Sequence, residues 1–180
     1  ALSVACAGKD ECYLAMGTTS AWRFDGERFA PTGPGTVAVL ATVKNPVDGA
    51  VYALFRSEDG AVLQVARITG GVWKIEDVVV KTPGTDPAVT FARFSPSGVL
   101  WVGLRFRDKV GELAPWGVAQ IDLSLDVVAY HHASRDRREL KKGVLPIPID
   151  VVDAAFLDVD EVWLATSEGA ARVRGLDVEV

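Results

Sequence analysis

Three groups of side chains in this 180-residue sequence could do chemistry, and they differ in kind. The first is a set of cations on two segments: Arg105 and Arg107 precede Trp116 in one, and His132, Arg135, Arg137, Arg138, Lys141 and Lys142 occupy the other. Residues 105–116 carry a net +1 and residues 133–148 a net +3 in a chain of net charge −5, which leaves −9 on the remainder. A basic, aromatic-bearing patch on an acidic body is the pattern of a docking surface for an acidic partner, because complementary potentials steer association. A solvated loop with no ligand produces the same charge run. The five Lys and Arg residues of the second segment are accompanied by no row of stacking aromatics, which speaks against nucleic acid.

The second group is acidic. Asp150 and Asp153 bracket the start of an apolar run and are both candidates to line a central channel; Asp153 sits between Val152 and Ala154, an unusual place for a carboxylate. It is expected to pair with an Arg of a neighbouring element or to face water in a channel; the functional alternative is an acid that binds a cation or a polar ligand. His131 and His132 are adjacent, so on a strand they point to opposite faces and cannot hold one metal together. One is expected to pack and the other to face solvent. The third group is Cys6 and Cys12, which flank a hairpin turn at Gly8 to Glu11 and are read either as a cross-strand disulfide or as two buried thiols. The compartment stays open on both readings. No catalytic residue, metal site or cofactor is assigned: the sequence has no Gly-x-Ser-x-Gly, phosphate loop or His/Cys cluster.

A repeat positions these groups. Hydrophobic residues make up 49% of the chain and charged residues 24%, a folded composition with no apolar stretch of membrane-helix length. Four segments share an apolar-aromatic-apolar core: Cys12 to Ala15, Val51 to Leu54, Leu100 to Gly103 and Val162 to Ala165. Each is preceded by a turn rich in Gly, Pro, Asp or Ser and by another apolar run. Each is succeeded by a segment with Arg or Gln at its third place (Arg23, Arg67, Gln120, Arg172) and by a closing apolar run. Such alternation is the product of half-buried strands. Four-stranded units at this spacing predict an all-β fold of propeller blades. The blades fall at about 1–33, 34–85, 86–132 and 147–180, with an insertion at 133–146.

Ser95-Pro-Ser-Gly-Val-Leu-Trp-Val-Gly103 and Glu161-Val-Trp-Leu-Ala-Thr-Ser-Glu-Gly169 resemble the "LWvGT…GL" repeat of regulator-type β-propellers, and Cys12 to Gly26 is similar to another part of it. The resemblance implies the architecture and says little of ligand, since that repeat serves sensors, scaffolds and enzymes. Asn45, the single Asn, lies in a turn, so the Asn-and-acid site of lactonase propellers is not expected, and the sialidase box is missing. The aromatics Tyr13, Tyr52, Trp101 and Trp163 are expected in inter-blade cores, leaving Trp116 as the binding aromatic. Both long segments are read as loops leaving blade three on one face.

The resulting expectation is a non-catalytic protein-interaction or scaffolding module using the blade-three insertions. The alternatives are a small-ligand or carbohydrate-sensing propeller and, behind it, a propeller hydrolase or lyase. Four blades close as a ring of their own, join further blades, or pair as two copies in an eight-bladed homodimer; no membrane partner is expected.

Overall fold

The computed structural model describes residues 3–134, 144–146, 150–158, 161–174 and 177–179. No helix occurs among them. Blade one is an antiparallel meander of β1 (Ser3–Gly8), β2 (Glu11–Ala15), β3 (Ala21–Phe24) and β4 (Phe29–Thr32). Blade two comes next with β5 (Val39–Lys44), β6 (Val51–Arg56), β7 (Val62–Thr69) and β8 (Val72–Lys81). Blade three holds β9 (Thr85–Phe94), β10 (Leu100–Arg107), β11 (Leu113–Asp122) and β12 (Val127–Ser134). To its outer edge the short β13 (Val144–Pro146) adds in parallel, pairing His132 with Val144, so this sheet has five strands. Blade four is β14 (Val151–Phe156), β15 (Glu161–Thr166), β16 (Gly169–Arg174) and β17 (Asp177–Glu179). The end of the expected insertion thus belongs to blade three.

Inner strands pack in series, β1 on β5, β5 on β9 and β9 on β14, and surround a central cavity of 1090 Å³. Packing of that extent does not join β14 back to β1 among the described residues. The burial patterns say the same. Val51 to Phe55 in β6 and Leu100 to Leu104 in β10 are buried without interruption, as strands covered on both faces must be. In β2 and β15 burial alternates, so one face of each end blade is covered and the other is not.

Three separate cores result, one per blade junction. Tyr13 and Ala15 meet Val39, Val51 and Phe55 between blades one and two. Tyr52, Leu54 and Leu63 meet Phe94, Leu100 and Leu104 between blades two and three. Trp101 and Phe91 meet Val151, Ala154 and Leu164 between blades three and four. The repeated aromatic in these blades therefore inserts into the next blade, Tyr52 against Phe94 at 5.2 Å and Trp101 against Phe156 at 6.1 Å between ring centroids. The expectation of inter-blade burial holds for Tyr13, Tyr52 and Trp101 and is corrected for Trp163, which is 40% exposed because no further blade covers it in the structure.

The register explains the polar third place of each repeat. Arg23, Arg67, Gln120 and Arg172 are the cross-strand partners of Tyr13, Tyr52, Trp101 and Trp163. In three blades a carboxylate completes the unit: Glu11 lies 3.9 Å from Arg23, Asp48 3.3 Å from Arg67 and Glu161 2.8 Å from Arg172. The same carboxylates accept from the Tyr13 and Tyr52 hydroxyls and from the Trp163 indole. Burial first, and then the adjacent carboxylate, push both phenols up to about 12. In blade three His131 stacks on Trp101, with centroids 5.6 Å apart and planes 4° apart, and its Nε2 lies 3.3 Å from Gln120 Oε1. His131 is the packed member of its pair; the His132 side chain falls outside the described residues.

Cys6 and Cys12 face each other across β1 and β2 and form a disulfide, which corrects the reading of two buried thiols. Tight approach of the inner strand is set by Gly103 on β10. A Cβ at that position would run into the Thr90 hydroxyl and the Phe91 ring, and Thr90 donates to the Val151 carbonyl at the start of blade four. Gly103→Ala is therefore expected to lower stability by roughly 1–3 kcal/mol through overpacking. Thermal unfolding tracked by circular dichroism reads it, and an unchanged midpoint would show that the β9–β10 spacing gives freely.

Candidate functional site

The expected loop at residues 105–116 is a strand-paired arm. Strands β10 and β11 continue past the edge of the blade body, pairing Arg105 with Pro115, Phe106 with Ala114 and Arg107 with Leu113. Thr85 and Ala88 of β9 pair alongside, so the arm has three strands at its base. The sequence builds its tip locally. The Asp108 carboxylate accepts from the Val110 and Glu112 amides at 2.9 and 3.0 Å, and Gly111 supplies the left-handed residue at φ +85°. Extension into strands, rather than a loop, goes with alternation across Leu104 to Arg107, an apolar return from Leu113 to Trp116 and a tight Gly-containing turn between them.

Ion pairs hold the arm to the body. Arg105 grips Asp150 through both Nε, at 2.6 Å, and Nη2. This bidentate pair ties the arm to the first residues of blade four. Arg107 Nε reaches Asp86 at 3.3 Å, and Asp86 also takes Arg56 of blade two at 3.4 Å. The Arg107 Nη1 donates to the Gly111 carbonyl. Beneath the arm Phe106 meets Trp116 edge to face at 6.0 Å. Gly84, in the link from blade two, lies so close that a Cβ there would overlap the Phe106 ring.

These contacts redistribute the residues singled out in the sequence. Arg105 and Arg107 are engaged by carboxylates as part of the scaffold. Trp116 is half-buried and packs against the core between blades two and three, so it is only in part a surface aromatic. Arg135, Arg137, Arg138, Lys141 and Lys142 lie outside the described residues. Asp150 sits at the base of the arm and does not line the central cavity. Asp153 does line it, and is gripped by Arg93 of blade three at 2.5 and 3.0 Å. That hydrogen bonding holds its carboxyl below the usual carboxylate range, with the ionised form favoured. Among the described residues no group of three or more His, Cys, Asp or Glu could hold a metal ion.

Sequence reasoning passed over the arm's two most exposed apolar residues, Val110 at 79% and Leu113 at 50% exposure. Their signal was the Asp108…Gly111 turn inside a charged stretch, which marks a hairpin and so places its flanking residues at a tip. A second apolar recess of 470 Å³ lies between blades one and two, lined by Pro34, Phe55, Trp73 and Ile75.

No protein-family model matches the chain, and no curated protein is similar to it. Solved structures are similar in fold. The extracellular domain of a putative hybrid two-component system of B. thetaiotaomicron superposes with a TM-score of 0.63 at 14% identity, over 99% of this chain and 24% of its own. YCF48 bound to a D1 peptide gives 0.55 at 13%, over 98% and 51%. The GH74 xyloglucanase from Xanthomonas campestris gives 0.52 at 15%, over 96% and 28%. The chain thus spans a quarter to a half of these propellers, and its fold is that of β-propeller blades.

Glu161 offers a pH test of the blade-four polar unit. Hydrogen bonds from Arg172 and then Arg174 draw its carboxyl down from 4.5 to about 2. A depressed carboxylate stabilises the fold above its unfolded value, and that contribution is lost as pH falls toward the folded one. Acid unfolding should therefore steepen between pH 4.5 and about 2, and Glu161→Gln should flatten that limb. An identical acid limb in the variant would show that other carboxylates set it.

Proposed function

We propose that this chain is a non-catalytic binding module that takes a protein partner on the blade-three arm. The observation that carries the reading is the arm itself: three-stranded at its base, clamped by Arg105–Asp150 and Arg107–Asp86, and yet offering Val110 and Leu113 to solvent. A preorganised apolar tip costs little ordering entropy on binding, which is how a small surface gains affinity. The basic segment that comes after β12 in sequence adds charge attraction for an acidic partner. Asp153, ionised and gripped by Arg93, is a poor general acid, which supports binding over catalysis. The Cys6–Cys12 disulfide fits an oxidising compartment. The alternative, a small-ligand or carbohydrate sensor, draws on the 1090 Å³ central cavity.

Peptides selected from a displayed random library against the chain separate these readings. Selected sequences should be acidic with an apolar anchor. The double change Val110→Asp with Leu113→Asp should weaken them by roughly tenfold or more, as loss of a hot spot does. Arg137→Glu, Arg138→Glu and Lys141→Glu together should weaken them in dilute salt and matter less as salt rises. Unchanged affinity in both variants would defeat the arm as the site; stabilisation by a sugar panel instead, abolished by Arg93→Met, would favour the cavity.

A further inference from the structure

Among the described residues, two that are not glycine stand at positive φ, Asp86 at 49° and Asp126 at 53°. Asp126 lies in the turn between Asp122 of β11 and Val127 of β12, where a left-handed residue helps to close a hairpin. Asp86 is instead the second residue of a strand, β9. Register gives the local reason. Arg105 pairs with Ala88 and Arg107 with Thr85, so β9 holds one residue more than β10 across that step. The extra residue makes a β-bulge at Asp86–Pro87, and a bulge re-aims a side chain. Where a bulge uses a left-handed residue, glycine is its ordinary occupant. Pro87 adds a second constraint, because the residue ahead of a proline favours extended backbone. Asp86 stands against both preferences.

Its carboxylate lies between arginines of two different elements. Oδ1 takes Arg56 Nη1 of blade two at 3.4 Å, and Oδ2 takes Arg107 Nε of the arm at 3.3 Å. Blade two also holds the bulge by its backbone: the Asp86 amide donates to the Gly60 carbonyl at 3.0 Å, and Arg56 Nε donates to the Pro87 carbonyl at 2.9 Å. The carboxylate thus has a fixed base and a guanidinium of the arm to orient. Arg107 pairs with Leu113 across the arm, and its Nη1 donates to the carbonyl of Gly111, next to Val110. The guanidinium held by Asp86 therefore braces the backbone that carries both exposed apolar residues. Glycine would satisfy the bulge and leave Arg107 without this carboxylate.

We propose that Asp86 is the positioning residue of the arm. The β9 bulge aims its carboxylate at Arg107, and that pair sets the arrangement of Val110 and Leu113 and with it the affinity for the arm's partner. The inference rests on the arm as the binding site and adds to it a residue that acts through Arg107. A tip already held in its bound arrangement loses less freedom on association, and a tip held for only part of the time binds more weakly by that fraction. Arg105–Asp150 fixes the base of the arm, so loss of the Asp86 carboxylate frees the tip without detaching the arm.

Two variants of the full chain test it: Asp86→Gly, which keeps a residue suited to the bulge, and Arg107→Met, which removes the arm's side of the pair. Amide hydrogen exchange over residues 108–113 reads the tip with no partner present, and it should quicken roughly tenfold in both variants. Residues 51–55 of β6 should keep their protection, and Asp86→Gly should unfold at the wild-type midpoint. Peptides selected from the displayed library on the wild-type chain should bind Asp86→Gly roughly fivefold more weakly, with Val110 and Leu113 intact. A bulge kept only for its backbone shape gives the opposite result. Wild-type exchange over 108–113 in either variant, or wild-type peptide affinity in Asp86→Gly, overturns the proposal. Should Val110→Asp with Leu113→Asp leave those peptides unaffected, the arm is not the binding site and the claim on affinity falls with it. Exchange in Asp86→Gly still reads whether Asp86 holds the tip, so the two failures are distinguishable.

Discussion

A β-sheet with apolar residues on both faces cannot stand alone in water, and the main features of this chain stem from how its four sheets meet that constraint. Each interior blade gives one face to the blade before it and one to the blade after. Val51 to Phe55 and Leu100 to Leu104 can therefore be apolar without alternation, because either orientation leads into a core. The end blades obey the same sequence pattern but have one neighbour each, and burial there reverts to period two. The difference between β10 and β15 is thus one of place in the series and not of strand chemistry.

This is why so much of the architecture could be read from sequence and why the exposure of Trp163 could not. The repeat marks the second strands at Cys12, Val51, Leu100 and Val162 because an aromatic in an apolar run recurs there, and all four positions lie in β2, β6, β10 and β15. The third-strand Arg or Gln is visible as a polar residue among apolar ones, but its partnership with the aromatic across the sheet is a matter of register, which a pattern of one strand does not contain. Whether an inserting aromatic finds a neighbour depends on whether another sheet lies beside it in space, and no local signal carries that.

The arm shows a second limit. A charge count assigns residues 105–116 to a docking loop because charged stretches between apolar ones usually are solvated. Pairing with Thr85 and Ala88 of β9 turns that stretch into sheet, and the carboxylates that neutralise Arg105 and Arg107 come from positions 45 residues later and 21 residues earlier in the chain. Asp150, Asp153 and Asp86 are accordingly structural partners of Arg105, Arg93 and Arg107. Charge runs announce that cations are present; only the fold says which of them are already engaged by neighbours.

The end blades, finally, hold themselves by cross-links that lie within one sheet, whereas the junction between blades three and four is tied between sheets. Blade one has the Cys6–Cys12 disulfide joining β1 to β2 across a six-residue separation. On loop-entropy grounds so short a closure is worth roughly 2 kcal/mol. Blade four has Glu161 clamped by Arg172 and Arg174, joining β15 to β16 at 2.8 and 2.7 Å. The junction between blades three and four instead uses Arg93–Asp153 and Arg105–Asp150, pairs that cross from one sheet to the next. A sheet covered on one face lacks half the packing that keeps its strands in register. A covalent or ionic tie between the first two strands of blade one, or between two central strands of blade four, restores register without needing a neighbour. Blade two has a tie of the same kind, Arg67 to Asp48 at 3.3 Å, so the device belongs to the repeat, and in the end blades it acts beside packing on one face only.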